Sequence, residues 1–125
     1  MNHFKIYATT AARVLMGVLF LLAGVGKLSD VAGFTGYMTS AGVPGILAWP
    51  VILLEILGGL ALIVGFKARF AALMLAGFTL LAAMLYHFVP ADQMRMTMFL
   101  KNLAVAGGLL LVTAHGAGRF ALDRA

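Results

Sequence analysis

Four long apolar stretches dominate the pattern of hydrophobic and polar positions along the chain. They cover residues 9–27, 46–66, 70–88 and 96–114, and each is about as long as a helix that crosses a bilayer. Short segments with glycine, proline or charged residues separate them. The pattern therefore predicts four membrane-spanning helices, of which the first is retained as a span rather than cleaved as a signal peptide.

The segment between the first two stretches is too short and too polar to span a membrane. Asp30 is suited to the N-cap position of a helix, and apolar side chains follow it at helical spacing, namely Phe34, Tyr37, Met38 and Ala41. This spacing predicts a short amphipathic helix in the membrane interface or over the mouth of the bundle. The predicted fold is an all-α, integral membrane four-helix bundle, with this interfacial helix between spans 1 and 2, in a single domain of residues 1–125.

The composition supports a membrane domain and excludes several classes of function. Hydrophobic residues make up 63% of the chain and charged residues only 10%, which is too little polar surface for a soluble domain. The net charge of +5 comes from basic residues at the ends of segments rather than from a basic run, so nucleic acid is not an expected partner. Cysteine is absent, which excludes disulfides, thiol redox chemistry and thiolate metal sites.

The basic residues predict how the helices are oriented. Four spans place both termini on one side of the membrane. That side would hold Lys5, Arg13, Lys67, Arg69, Arg119 and Arg124, and the other side would hold Lys27, Arg95 and Lys101. The excess of positive charge predicts that both termini are cytoplasmic. Arg13, Arg69 and Arg119 are accordingly interpreted as residues that fix orientation or contact lipid headgroups.

The second apolar stretch contains a carboxylate, Glu55, near its middle. Because a charge at that depth is costly, we expect Glu55 to face other helices and to have a partner or a proton. The segment that begins with the glycine pair at 58–59 resembles the segment that begins with the glycine pair at 107–108. If the two helices pack in that register, Lys101 lies about one turn from Glu55. The sequence therefore favours a Glu55–Lys101 pair, with Asn102 as a hydrogen-bonding neighbour.

Two further polar residues fall at the same outer end of the predicted bundle. They are His87 and Lys27, which we expect to line an outward-facing pocket together with Glu55, Lys101 and Asn102. Such a pocket could hold a ligand or a proton, or the ion pair could only fix the helix register. No close ligand spacing such as His-x-x-x-His occurs, so no metal is expected. No cofactor motif is evident either, although the phenylalanine and methionine residues could wall a slot for a flat hydrophobic ligand such as a quinone.

Several short motifs occur in a characteristic order along the chain. They are Arg13, the run 17–27, Phe34-x-x-Tyr37, Glu55-x-x-Gly58-Gly59, Gly65 followed by Arg69-x-Ala71, His87, Lys101-Asn102, and Gly118-Arg119-Phe120-x-Leu122-Asp123. In this order and spacing they resemble the DoxX family of small bacterial membrane proteins. The resemblance covers nearly the whole chain.

The resemblance implies a four-helix protein of the bacterial inner membrane. The family takes its name from a small membrane subunit associated with a thiosulfate:quinone oxidoreductase, and other members are linked to oxidative-stress complexes. It thus implies a redox-associated, quinone-linked subunit in the lipid bilayer or an anchor for an oxidoreductase partner subunit. Any electron transfer would need a bound cofactor or that partner, so catalysis by the chain on its own is not expected. Assembly with further copies of itself is also open. Two alternatives stay open: a small-solute carrier or permease that uses a buried Glu–Lys pair, and a purely structural membrane protein.

Overall fold

A computed structural model describes residues 3–87, 89–118 and 120–123, and most of these residues are helical. No β-strand occurs among them, which confirms the all-α prediction. The helices are α1 His3–Leu28, α2 Val31–Ser40, α3 Ala48–Val64, α4 Ala68–Ala82 and α5 Gln93–His115; a 3₁₀ turn, Gly45–Leu47, leads into α3, and a π-helical turn, Ala83–His87, continues α4.

The predicted membrane spans are confirmed as helices. Within the described residues, four helices are long and apolar enough to cross a membrane: Phe4–Leu28, Gly45–Val64, Ala68–Tyr86 and Gln93–His115. The first begins earlier than predicted, because the polar lead also forms helix and its Ile6 side chain is buried, at 7% exposure.

The helices form an up-and-down bundle in which neighbours along the ring are α1, α3, α4 and α5. The most extensive contacts join α1 to α3 and α4 to α5, while α3–α4 and α1–α5 contacts close the ring. Among the described residues, α3 and α5 make no direct backbone contact, so they lie diagonally across the bundle. The end at which α1 ends and α3 begins is here termed the α2 end. The opposite end, with the α3–α4 turn and residues 116–123, is termed the tail end.

Two glycines set the close contact between α1 and α3. A Cβ atom added to Gly17 would lie 2.7 Å from the carbonyl oxygen of Gly59, and one added to Gly59 would lie 2.7 Å from that of Gly17. Such a separation is too short for a carbon atom, so any side chain here would push the helices apart. Small residues at crossing points are the usual means of packing helices in a membrane, where lipid removes the hydrophobic drive for association.

The short helix α2 begins where the sequence predicts. The Asp30 carboxylate accepts a hydrogen bond from the Gly33 backbone N–H, at 2.9 Å, which is a standard N-cap interaction. The side chain that α2 buries is Met38, at 1% exposure, whereas Tyr37 is 45% exposed. Met38 therefore provides the main anchor of α2 on the bundle.

At the tail end, the segment 120–123 crosses the turn between α3 and α4. Leu122 N–H donates to the Val64 carbonyl at 3.0 Å, and Asp123 N–H donates to the Gly65 carbonyl at 2.8 Å. These bonds satisfy carbonyl groups that the end of a helix leaves without an intrahelical partner.

The Asp123 side chain caps the next helix. Its two carboxylate oxygens accept hydrogen bonds from the backbone N–H groups of Lys67, at 2.6 Å, and Ala68, at 2.7 Å. Both Gly65 and Lys67 have left-handed backbone conformations, with φ of 73° and 48°, so α3 reverses directly into α4. The N-cap of α4 is thus supplied by a residue far away in the sequence rather than by its own flank.

Candidate functional site

A cavity of about 650 Å³ opens at the α2 end of the bundle. All four spanning helices and α2 contribute to it. Its walls are mainly apolar and include Leu19, Phe20, Phe34, Phe78, Tyr86 and Met98. The volume falls within the usual range for small-molecule pockets, and a few polar groups also line the cavity.

A buried ion pair joins α1 to α3 at this cavity. Lys27 Nζ lies 2.7 Å from Glu55 Oε1, and the side chains of Lys27 and Glu55 are 26% and 5% exposed. The close approach of the two helices places these groups together, because a Cβ atom on Gly24 would lie only 3.1 Å from the Glu55 Cβ. Lys27 follows about one turn later on the same helix.

The expected pairing of Glu55 with Lys101 is corrected by this geometry. Lys101 lines the same cavity, but its side chain is exposed and forms no ion pair with a carboxylate in the described part of the chain. The reason is the helix order. Lys101 lies on α5, diagonally across from α3, whereas Lys27 lies on the adjacent α1. The prediction that Glu55 has a lysine partner therefore holds with Lys27 as the partner.

The deep part of the cavity contains two polar residues that pack against each other. Asn102 Nδ2 donates to the Thr79 backbone carbonyl at 3.4 Å, and the two residues are 7% and 3% exposed. The Thr79 hydroxyl is buried and has no hydrogen-bond partner among the described residues. Sequence reasoning selected Asn102 but not Thr79, because a single threonine in an apolar span usually bonds to its own helix and gives no signal.

The helix α2 covers the mouth of the cavity through aromatic contacts. The Tyr37 ring stacks on the Tyr86 ring of the π-helical turn, with centroids 4.9 Å apart and planes 27° apart. The Phe34 ring lies 5.2 Å from Lys27 Nζ, in a cation–π contact. The segment predicted to lie over the bundle mouth, α2, therefore covers the opening of this cavity and is termed its roof.

The remaining predicted pocket residue is His87. Its backbone forms the end of the π-helical turn, but its side chain lies outside the described part. The rim of the cavity carries a looser ion pair, Asp92 with Arg95 at 3.6 Å. Within the described residues, no group of three or more His, Asp or Glu side chains is arranged to hold a metal ion.

Arg13 does not reach the surface at the tail end. It is 1% exposed, and its Nη2 donates to the Phe120 carbonyl at 2.5 Å. In place of the expected headgroup contact, Arg13 holds the tail segment, and the Phe120 ring also stacks on Tyr7 with centroids 5.8 Å apart. Arg69 is exposed at the same end, and its role in orientation stays a prediction. Arg119 lies outside the described residues.

The sequence of this chain is similar to those of known membrane proteins. The family model described as DoxX matches residues 8–88. Inner membrane protein YqjF of Escherichia coli is 49% identical over 124 residues, which cover 99% of this chain and 95% of that protein. Inner membrane protein YphA of Escherichia coli is 29% identical, covering 90% of this chain and 86% of that protein.

A more distant relative carries a functional name. The putative oxidoreductase CatD of Bacillus subtilis is 27% identical over 85 residues, which cover 68% of this chain and 63% of that protein. No solved structure matches this chain.

Proposed function

This chain belongs to the DoxX family, and from that premise we propose that it is a quinone-binding membrane subunit that serves an oxidoreductase partner. Its similarity to an inner membrane protein and its four apolar helices identify it as a multi-pass inner-membrane protein. The proposal concerns what the cavity at the α2 end holds. The name of the relative CatD supports a redox role.

The observation that carries the proposal is a mainly apolar cavity with a few hydrogen-bonding groups in its walls. A quinone headgroup is a flat ring with carbonyl oxygens on opposite edges. Phe34, Phe78 and Tyr86 supply apolar and aromatic surface for the ring. The Lys27 ammonium and the unpartnered Thr79 hydroxyl supply donors for its carbonyl oxygens.

The ion pair gives the site a role in proton transfer. Oxidation of a quinol to a quinone releases two electrons and two protons. Glu55 lines the cavity and would accept one of these protons, while Lys27 would orient the carboxylate. The other proton would leave to water through the open mouth of the cavity. The chain contains no cysteine for an iron–sulfur cluster, and in this proposal the redox centre of the partner subunit would take up the two electrons.

A carrier function is the second candidate, and one observation favours it. Lys27 and Lys101 line the same cavity as Glu55, so the carboxylate could exchange one lysine for the other as the bundle changes shape. That mechanism predicts pH-dependent solute flux by the purified chain in liposomes. A quinone-binding subunit predicts no such flux.

The test is to extract the protein with its surrounding lipid in polymer nanodiscs and to measure retained quinone by mass spectrometry. We expect stoichiometric quinone with the native chain. Ala82→Phe fills the cavity, because Ala82 lines it, and should remove the quinone. Ala104→Phe, on an exposed face of α5, is the matched control and should retain it.

Equal quinone in the native chain and in both variants, at the level of the bulk lipid, would refute a quinone site in this cavity. Loss from both variants alike would place the quinone outside the cavity. Solute flux together with an absence of retained quinone would favour the carrier.

A further inference from the structure

We propose that Thr79 and Asn102 form a donor–acceptor subsite that binds a ring hydroxyl, so that the cavity holds quinol in preference to quinone. This inference rests on the proposed function and specifies which redox form the site prefers.

Asn102 is held in one orientation by the backbone of α4. Its Nδ2 donates to the Thr79 carbonyl at 3.4 Å, which directs the other amide atom, Oδ1, away from that carbonyl. Asn102 lines the cavity, and Oδ1 is the amide atom that this bond does not engage. The subsite therefore presents one acceptor to an occupant.

Thr79 supplies the donor. Its side chain is almost completely buried, at 3% exposure, and the hydroxyl lacks a partner among the described residues. A threonine in a helix can usually bond to a carbonyl one turn earlier, and the structure instead leaves this group unpaired beside the cavity. A buried hydroxyl without a partner is costly, so it is expected to be satisfied when the cavity is filled.

The two groups distinguish the redox forms of a quinone by hydrogen bonding. A quinol hydroxyl can accept from Thr79 Oγ1 and donate to Asn102 Oδ1. A quinone carbonyl can accept from Thr79, but it has no hydrogen for Asn102 and leaves that acceptor unpaired. Sites built to bond a hydroxyl reject analogues without one. A single hydrogen bond of ordinary strength corresponds to about fivefold in affinity.

The experiment is equilibrium dialysis of the full chain in detergent against a short-tailed benzoquinone, and separately against its quinol under anaerobic conditions. The dimethyl ether of the quinol is a third probe, because it keeps the acceptor oxygens, lacks the donor and is not redox-active. We expect the quinol to bind at least about fivefold more tightly than the other two probes. This comparison requires only the native protein.

Two near-isosteric variants separate the donor from the acceptor. Asn102→Leu should weaken quinol binding about fivefold and leave quinone binding unchanged, so that the preference disappears. The Thr79 carbonyl remains satisfied in this variant, since it also accepts from the Ala83 N–H. Thr79→Val should lower the affinity for both quinone and quinol. Thr79→Ser keeps the hydroxyl and should bind both with the affinity of the native chain.

The outcomes distinguish this inference from the function on which it rests. If the native chain binds quinone saturably and with an affinity equal to or higher than that for quinol, the proposed subsite is wrong, but the quinone site is retained. The same conclusion follows if Asn102→Leu lowers the affinity for quinone and for quinol equally. Failure of every probe to bind saturably overturns both proposals.

Discussion

The ion pair between Lys27 and Glu55 should stabilise the bundle through one specific contact, and its two members should differ in their effect. We expect Lys27→Met to be the more damaging change, because it leaves a carboxylate with 5% exposure without a partner. Breaking a buried pair typically costs about 3–5 kcal/mol. Protonation of the isolated carboxylate limits the loss, so a decrease of about 2–3 kcal/mol in the free energy of unfolding is expected.

Glu55→Gln should lower the free energy of unfolding by less than Lys27→Met does. The lysine that remains is 26% exposed, and its long side chain can turn its ammonium group towards water. A loss of about 1 kcal/mol is expected. Lys101→Met removes an exposed charge without an ion-pair partner among the described residues and should change stability by less than about 0.5 kcal/mol.

A double-mutant cycle measures the pairing directly. Reversible unfolding in mixed detergent micelles with increasing dodecyl sulfate gives the free energy of each variant. The Lys27→Met/Glu55→Gln double variant should be more stable than the sum of the single losses predicts, by about 1–2 kcal/mol. The cycle with Lys101→Met should be additive within about 0.5 kcal/mol. A larger coupling of Glu55 to Lys101 than to Lys27 would refute the helix order described here.

Three other predictions follow from contacts at the tail end, at the helix crossing and in the topology. Asp123→Ala removes the cap of α4 and should lower stability by about 0.5–2 kcal/mol, measured in the same unfolding assay; a neutral result would mean that the tail does not dock in the bilayer. Gly59→Ala should cost about 1–3 kcal/mol through overpacking, while Gly107→Ala, where a Cβ meets nothing within 4 Å, should be neutral or slightly stabilising. Reporter fusions at each terminus should both give cytoplasmic signals, and a fusion in the α4–α5 loop should give a periplasmic one; a periplasmic signal from either terminus would contradict the predicted orientation.

The sequence predicted the spans well because a helix in lipid must be long and continuously apolar, and both properties are visible along the chain. The start of α2 was also predictable, since Asp30 caps its own helix within three residues. The local sequence pattern does not predict the order of the helices around the bundle. The glycine echo suggested that α3 and α5 are neighbours, and the pairing of Glu55 with Lys101 depended on that assumption.

The contacts of the tail segment also could not be predicted from the local sequence pattern. Arg13 near the end of a span has the pattern of a residue that reaches towards headgroups, and only the fold reveals that Phe120 covers it. Asp123 caps a helix that begins far earlier in the chain. Thr79 was not predicted because its significance lies in the lack of a partner, which is a property of its three-dimensional surroundings.

One ammonium group contacts both the wall of the cavity and the helix that covers it. Lys27 Nζ pairs with Glu55 and also lies against the Phe34 ring of α2. Because one group makes both contacts, we expect them to be coupled, and coupling of this kind is reciprocal: the factor by which moving α2 away weakens the ion pair equals the factor by which breaking the ion pair weakens the packing of α2. An occupant that draws Lys27 towards itself therefore also alters how firmly the roof is seated. Occupancy of the cavity and the position of α2 are therefore expected to change together.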